Sequence, residues 1–306
     1  MSLPGYADYL AKIGSAFEAH GLPLADPEEC GFSSAALKAA EAGAWNPAAR
    51  EFTSWLESRL SGILAANHKF APAPSVRRIE FPDGGSISVA IINGQAADWY
   101  GTESVLLGFD FLRESAMGLF DGCRTFLDLG GHQFVWAAYY AMTSPDAEVV
   151  TFEPSILNVA IGLFNCLVNG VIEQVRAVPF AVKSSLAAGD SDGEKMLVDF
   201  LTVPLLAKTL PETTSGSFDF VKVDIEGYEF EMLQDPVFRK LMHELQCGHL
   251  ELHLGHLVHR EIGVPEWIER LRAAALQGQE YYSGTDMYEF LETCDPKGYH
   301  AFIVRP

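Results

Sequence analysis

The sequence predicts an α/β fold: a doubly wound, mostly parallel, Rossmann-like sheet with helices on both faces, and a helical subdomain before it. Three observations predict this. From Cys123 onward, short apolar strands alternate with segments of helical periodicity, which places helices on both faces of a parallel sheet. The first of these strands runs into Gly130-Gly131, where the chain can turn sharply and approach a ligand. Carboxylates stand just past strand ends, at Glu153 and Asp224, and in such sheets ligands sit outside the carboxyl ends of the strands.

The elements follow in order. Tyr6, Tyr9, Leu10, Ile13 and Phe17 recur at helical spacing, as do Phe52, Trp55, Leu56, Leu60 and Leu64. Between them, Pro23 and Pro27 within Gly21 to Gly31 mark a connection. These helices read as an amphipathic packing layer; the sharper alternative is a cap over a substrate pocket, or the face of a homodimer. Pro72 and Pro74 interrupt any helix and divide an N-terminal helical subdomain, 1–72, from an α/β domain, 73–306. Arg77 to Ile92 reads as two strands around Pro82-Asp83-Gly84-Gly85, and Gly101 to Leu119 as helical. The alternating part then has strands at Thr125–Leu129, Glu148–Phe152, Val175–Val182 (cut short at Pro179), Phe218–Val223 and His249–Leu254. Helices are expected at Phe134–Met142 and Asn158–Asn169.

Composition narrows the partners. Of 306 residues 48% are hydrophobic, enough for a substantial core. Acidic residues outnumber basic ones 41 to 21, for a net charge of −20. Such a field repels phosphate backbones and anionic lipid, so the expected partner is a small-molecule acceptor, with no nucleic acid and no membrane. The five cysteines form no Cys-x-x-Cys pair and the first residues lack the pattern of a secretory signal. Both features fit a reduced, cytoplasmic protein.

The cofactor candidates lie around the loop Asp128-Leu129-Gly130-Gly131-His132-Gln133. Glu153, followed by Pro154, stands 25 residues after Asp128, at the end of the second alternating strand. A carboxylate there can accept both hydroxyls of a ribose, which suits a dinucleotide or S-adenosylmethionine. The dinucleotide fingerprint requires glycines where this chain has His132 and Val135. S-adenosylmethionine carries no pyrophosphate to be held by bare amides, and it is the expected cofactor.

Phe126-Leu127-Asp128-Leu129-Gly130-Gly131, Thr151-Phe152-Glu153-Pro154, Asn165 with Asn169, and the run from Asp219 to Glu229 containing Lys222-Val223-Asp224-Ile225-Glu226-Gly227 together resemble the FkbM-type methyltransferases. The resemblance covers about half of the chain, Ala97 to Leu254. It implies a class I S-adenosylmethionine-dependent fold and methylation of hydroxyl groups on sugars or natural products. Asp128, Gly130, Gly131, Glu153 and Pro154 are the expected cofactor residues. Two positions depart from the family pattern: His132 replaces an asparagine and Phe134 a glycine. The Phe134 ring either narrows the methionine pocket or fills the helix–sheet interface. Asn165 and Asn169 are expected to buttress the second helix, and Val178 and Phe180 to line an adenine or belong to the core.

Asp224 is expected to face the transferred methyl group and the substrate, and Glu226 to cap the next helix or bind ligand. Glu229 and Glu231 are read as a solvated helix face. Five histidines fall between His243 and His259; a strand at His249–Leu254 puts His249, Glu251 and His253 on one face. Three readings compete for them: His253 as a general base, a metal site with Asp224, or buried structural side chains. No metal is predicted, because a divalent cation there rests on alternation alone. The expected activity is O-methyl transfer with His253 or Asp224 as base and Glu226 beside them. A neutral His253 with an unperturbed pKa of about 6.5 would make turnover rise through that pH. The alternatives are a degenerate binding or regulatory protein of the same fold and a nicotinamide-dependent oxidoreductase.

Overall fold

A computed structural model describes residues 3–67, 70–81, 84–100, 110–143, 145–184, 186, 195–198, 201–204, 207–209, 217–255 and 262–305. The apolar periodicity of the N-terminal segment produces helices α1 (Tyr6–Ala19), α2 (Ser34–Glu41), α3 (Asn46–Arg59) and α4 (Ser61–Asn67). A capping box of Asp26 and Glu29 starts the 3-10 turn Pro27–Cys30, and Ser33 caps α2. Strands β1 (Phe70–Glu80) and β2 (Ser86–Asn93) pair antiparallel, as the sequence predicts for Arg77 to Ile92. The prolines at 72 and 74, expected to mark a break, instead lie inside β1. The register shifts between Phe70 and Ser75, so both fall in an irregular stretch of a two-stranded sheet, where a missing N–H is tolerated. Helices α5 (Gly94–Tyr100) and α6 (Asp110–Ala116) follow; positions 101–109 of the expected helix lie outside the described residues.

The central sheet is built from β3 (Thr125–Leu129), β4 (Glu148–Phe152) and β5 (Val175–Val178), joined by α7 (Val135–Thr143) and α8 (Ile156–Val168). Beyond β5, which stops before Pro179, come β6 (Ala181–Lys183), β7 (Lys195–Val198), β8 (Leu201–Pro204) and β9 (Ala207–Thr209), paired as β6 with β9 and β7 with β8. Then come β10 (Phe220–Val223), α9 (Glu229–Met232), α10 (Pro236–Glu244), β11 (Cys247–His253), α11 (Val264–Ala273), β12 (Gln277–Glu280), α12 (Met287–Leu291) and β13 (Tyr299–Arg305). The seven-stranded order is β12-β13-β11-β10-β3-β4-β5. All neighbours are parallel except β13, which runs antiparallel to both β11 and β12. The predicted fold class is therefore the observed one. Because β3 has β4 on one side and β10 on the other, the loops leaving β3 and β10 face each other across the switch point.

Each sheet face has its own apolar layer. Phe126, Val149 and Phe220 pack with α7, α8 and the N-terminal helices, whereas Leu127, Val150, Val221 and Leu250 pack with α9, α10 and α11. The N-terminal helices share the first layer continuously. Phe52 stacks on Phe164 of α8 at 4.7 Å, and Trp45 meets the same ring edge-on. Val178 belongs to the second layer and Phe180 packs against it. No helix among the described residues is long and apolar enough to cross a membrane.

Two sequence features acquire physical reasons here. Asn165 accepts from the Ala90 amide at 2.8 Å and donates to the Gln133 carbonyl at 2.9 Å. One turn on, Asn169 accepts from and donates to the Ser88 backbone at 2.8 and 2.7 Å. These amides tie α8 to the edge of β2 and to the loop after β3, which is the expected buttress. Phe134 adopts a left-handed φ of 56° with its ring fully buried. A Cβ on Gly162 of α8 would come within 2.3 Å of that ring. The ring therefore fills the helix interface, and Gly162 is the residue that makes room for it.

Gly162→Ala tests this pairing. The helix-propensity gain of about 1 kcal/mol should be outweighed by overpacking that costs about 1–3 kcal/mol. The melting temperature should fall in the natural background and hold or rise in Phe134→Ala; equal effects in both backgrounds would show that the two positions do not interact.

Candidate functional site

In-register pairing sets a polar row across the middle of the sheet: Thr151, Asp128, Lys222 and His249, from β4, β3, β10 and β11. All four are buried. Thr151 donates to Asp128 Oδ2 at 3.0 Å, and Lys222 Nζ lies 3.4 Å from Asp128 Oδ1. The same ammonium donates to the Gly130 carbonyl at 2.9 Å and to Asp224 Oδ2 at 3.0 Å, under the Trp136 ring. Burial pushes the Asp128 carboxyl up against the pull of Lys222. For Lys222 burial acts to lower the pKa, but the Asp224 and Asp128 carboxylates outweigh it and hold the ammonium charged. Asp128, expected at the cofactor, is wholly enclosed and reaches the crevice only through the loop that it and Lys222 support.

That loop is closed upon the sheet. The Gly130 and Gly131 amides both donate to the Phe152 carbonyl, at 3.1 and 2.8 Å, and the Phe134 amide donates to the Gly131 carbonyl. Gly130 has a φ of 88°, and a Cβ there would lie 1.6 Å from the Asp224 carbonyl oxygen; at Gly131 it would lie 1.9 Å from Thr151 Oγ1. The glycines are required because the chain itself is packed so closely. Glu153 is buried, accepting from the His132 amide at 2.9 Å and the Ser155 amide at 2.8 Å. It thereby joins the loop to the start of α8, with Pro154 buried beside it.

At the end of β10 the acidic run folds around His253. Nδ1 of the ring stands 3.0 Å from Glu229 Oε1, which also accepts from the Ile225 amide at 2.8 Å. Nε2 faces Asp224 Oδ1 and Glu226 Oε2 at 3.6 Å each, and Glu251 Oε1 at 3.5 Å. Glu226 takes a left-handed φ of 57°. Glu229, expected on a solvated helix face, is fully buried, because a four-residue helix turned toward β11 delivers it to the histidine. Burial acts to lower the His253 pKa, but the Glu229 hydrogen bond and the Asp224 and Glu251 charges raise it to about 10. The ring so placed carries its second proton at neutral pH, unlike the neutral base expected from an unperturbed histidine. Burial would push Asp224 up, yet Lys222 and His253 hold it below the usual value.

His249 shares a face with His253 but not its surroundings. It is fully buried, 2.7 Å from Glu114 of α6, edge-on to Trp136. Burial would lower its pKa; the Glu114 carboxylate raises it to about 10. His256 and His259 lie outside the described residues. Lys222 and Glu229 stand inside the quoted motif yet were not predicted as site residues. A lone charge two positions before Asp224 in an apolar strand was the available signal for Lys222, while nothing local points from Glu114 to His249.

No family model matches the chain, and no curated protein matches its sequence. Solved structures similar to it include the O-methyltransferase TomG from Streptomyces achromogenes in complex with SAM, at 15% identity and TM-score 0.39, covering 69% of this chain and 85% of that one. An O-methyltransferase from Bacillus cereus in complex with SAH is similar at 14% identity and TM-score 0.36, over 64% and 78% of the two chains. The ribosomal protein L11 methylase from Lactobacillus delbrueckii subsp. bulgaricus is similar at 13% and TM-score 0.36, over 63% and 76%. At these values the likeness carries no residue-by-residue correspondence.

Two stability predictions follow from the buried charges. Lys222→Met strands Asp128 and Asp224 and should cost about 3–5 kcal/mol in denaturant unfolding; a loss under about 1 kcal/mol, the scale of an exposed pair, would show the ammonium to be dispensable. His249 has a folded pKa of about 10, above the ordinary 6.5. Its pairing with Glu114 therefore contributes fully below pH 6.5 and is lost as pH rises toward 10. In Glu114→Gln the fall in melting temperature across that window should be shallower than in the natural chain, and an unchanged slope would contradict the pairing.

Proposed function

We propose that this chain is an S-adenosylmethionine-dependent O-methyltransferase of the FkbM kind that its motifs resemble, acting on a hydroxyl group of a sugar or natural product. The observation that carries the proposal is the charge at the switch point. Asp128, Asp224, Glu226, Glu229 and Glu251 surround Lys222 and His253, while the amides of Gly130, Gly131, His132 and Phe134 donate within the chain. A crevice of surplus negative charge with engaged amides favours a cation and disfavours a pyrophosphate. Among the two cofactor classes that suit a carboxylate at Glu153, this supports the sulfonium one and speaks against the nicotinamide dinucleotide.

S-adenosylmethionine, when bound, supplies an electrophilic methyl group on a positively charged sulfur. The chain's part is to bind, align and manage one proton. Gly130 and Gly131 bring backbone to the crevice, with Asp128 supporting them from below. Glu153, with the roughly four acceptor positions of a carboxylate, serves both the loop and a ribose, and Pro154 fixes its direction. Asp224, held ionised, is the proposed acceptor of the hydroxyl proton. His253 and Glu226 flank it and orient the hydroxyl.

Calorimetry with S-adenosylmethionine, its demethylated product and NAD tests the cofactor. The first two should bind and NAD should not, and Glu153→Ala should lose about 1.5–3 kcal/mol of binding energy; binding of NAD alone would overturn the proposal. A screen for transferred labelled methyl over sugars and glycosylated natural products tests the activity, and cofactor binding without transfer to any acceptor would favour a binding protein. Asp224→Asn should reduce turnover by roughly 10²–10⁴. Because Asp224 is held below its ordinary value, turnover should be flat through the neutral range. A rise that comes only as pH approaches the His253 pKa of about 10 would transfer the role to His253.

A further inference from the structure

We infer that Asp224, Glu226 and His253 form a binding site for one divalent cation of the manganese type. One ligand atom from each residue lies within 4.8 Å of the others. Nε2 of His253 stands 3.6 Å from Asp224 Oδ1 and from Glu226 Oε2, with Glu251 Oε1 at 3.5 Å. Donors about 2.1 Å from a common ion stand roughly 3–3.5 Å from one another, so a small contraction closes this set around a cation.

The residue behind the histidine gives an independent reason. Metal-bound histidines nearly always donate their other ring nitrogen to a carboxylate, which fixes the tautomer and aims the ligand nitrogen. Glu229 occupies that place: fully buried, 3.0 Å from Nδ1, and held by the Ile225 amide. It leaves Nε2 directed at the Asp224 and Glu226 oxygens, where an ion takes the place of the ring's second proton. Exposure is graded in the sense that an open site requires. The His253 side chain is 7% exposed, Asp224 29% and Glu226 41%, so the ligands close the inner side and leave the outer side to water or substrate.

The donor set selects the ion class. Carboxylate oxygens with a single imidazole suit manganese; calcium takes 6–8 oxygens, and zinc prefers richer nitrogen and sulfur sets. On the methyltransferase reading, on which this one step rests, the ion holds an acceptor oxygen beside Asp224 and lowers the cost of removing its proton.

The test uses the full chain, stripped with EDTA, and Mn²⁺ alone as probe, following loss of the free-ion signal by electron paramagnetic resonance. One Mn²⁺ should bind per chain. Glu226→Gln, His253→Ala and Glu229→Gln should each weaken binding by roughly tenfold or more, whereas Glu244→Gln, on the exposed side of α10, should not. Glu226 is exposed enough that its variant remains folded and decides the matter if the buried variants do not fold. No Mn²⁺ binding, or Glu226→Gln binding like the natural chain, overturns the site. Calorimetry with S-adenosylmethionine on the same stripped protein separates the two proposals: cofactor binding without Mn²⁺ binding defeats the metal site alone, and Mn²⁺ binding without cofactor binding defeats the methyltransferase reading alone.

Discussion

The ammonium of Lys222 is the interaction on which the rest of the site depends. It lies between Asp128 and His249 in the polar row that crosses the sheet, and it is kept charged by Asp128 on β3 and by Asp224 just past the end of its own strand. A buried charge is tolerated only when paired and hydrogen-bonded. Here the partners are what the site is made of: Asp128 below the loop, the Gly130 carbonyl in it, and Asp224 at the end of β10. One side chain thus joins both loops of the switch point, and neither can shift without leaving a charge unmatched. Trp136 above the ammonium excludes water and adds a cation–π contact.

The loop after β3 shows how a departure from a pattern is absorbed. A phenylalanine at a left-handed position is unfavourable by itself, and its ring needs space that a regular helix surface does not offer. Gly162 supplies that space within an otherwise strongly apolar α8. The loop consequently satisfies its own amides and stands closed before any ligand is considered, with Glu153 serving as a strut. Glycines that a motif assigns to cofactor approach are, in this chain, equally demanded by the contacts of Gly130 with Asp224 and of Gly131 with Thr151.

Most of the alternating architecture was legible in the sequence. Strands three to five and ten are short, largely apolar runs bounded by turn residues, β11 alternates leucine with histidine and glutamate, and α7 and α8 are apolar enough to be recognised without partners. The C-terminal strands were not. β12 is Gln-Gly-Gln-Glu, with no apolar signal, and forms only because β13 offers it an edge. The prolines of β1 misled for a similar reason: whether a proline is tolerated depends on the register of its partner strand, which no local pattern contains. At the site, periodicity correctly put His249, Glu251 and His253 on one face. It could not show that His249 meets Glu114 from α6 while His253 meets Glu229 from α9, because both partners arrive by tertiary packing.

That difference in partners separates two histidines which the sequence presents alike. His249 is sealed beneath Trp136 and Tyr281, with Glu114 at 2.7 Å and Glu251 at 3.8 Å, and acts as a pin between α6 and the sheet. His253 sits two strand repeats further along, where the strands end and the turn after β10, α9 and β11 all present carboxylates. The same side chain, displaced four residues along one strand face, passes from a closed ion pair to the rim of a charged crevice. Position relative to the carboxyl ends of the strands, more than residue type, decides whether a histidine of this sheet is sealed within the layers or meets the carboxylates gathered at the strand ends.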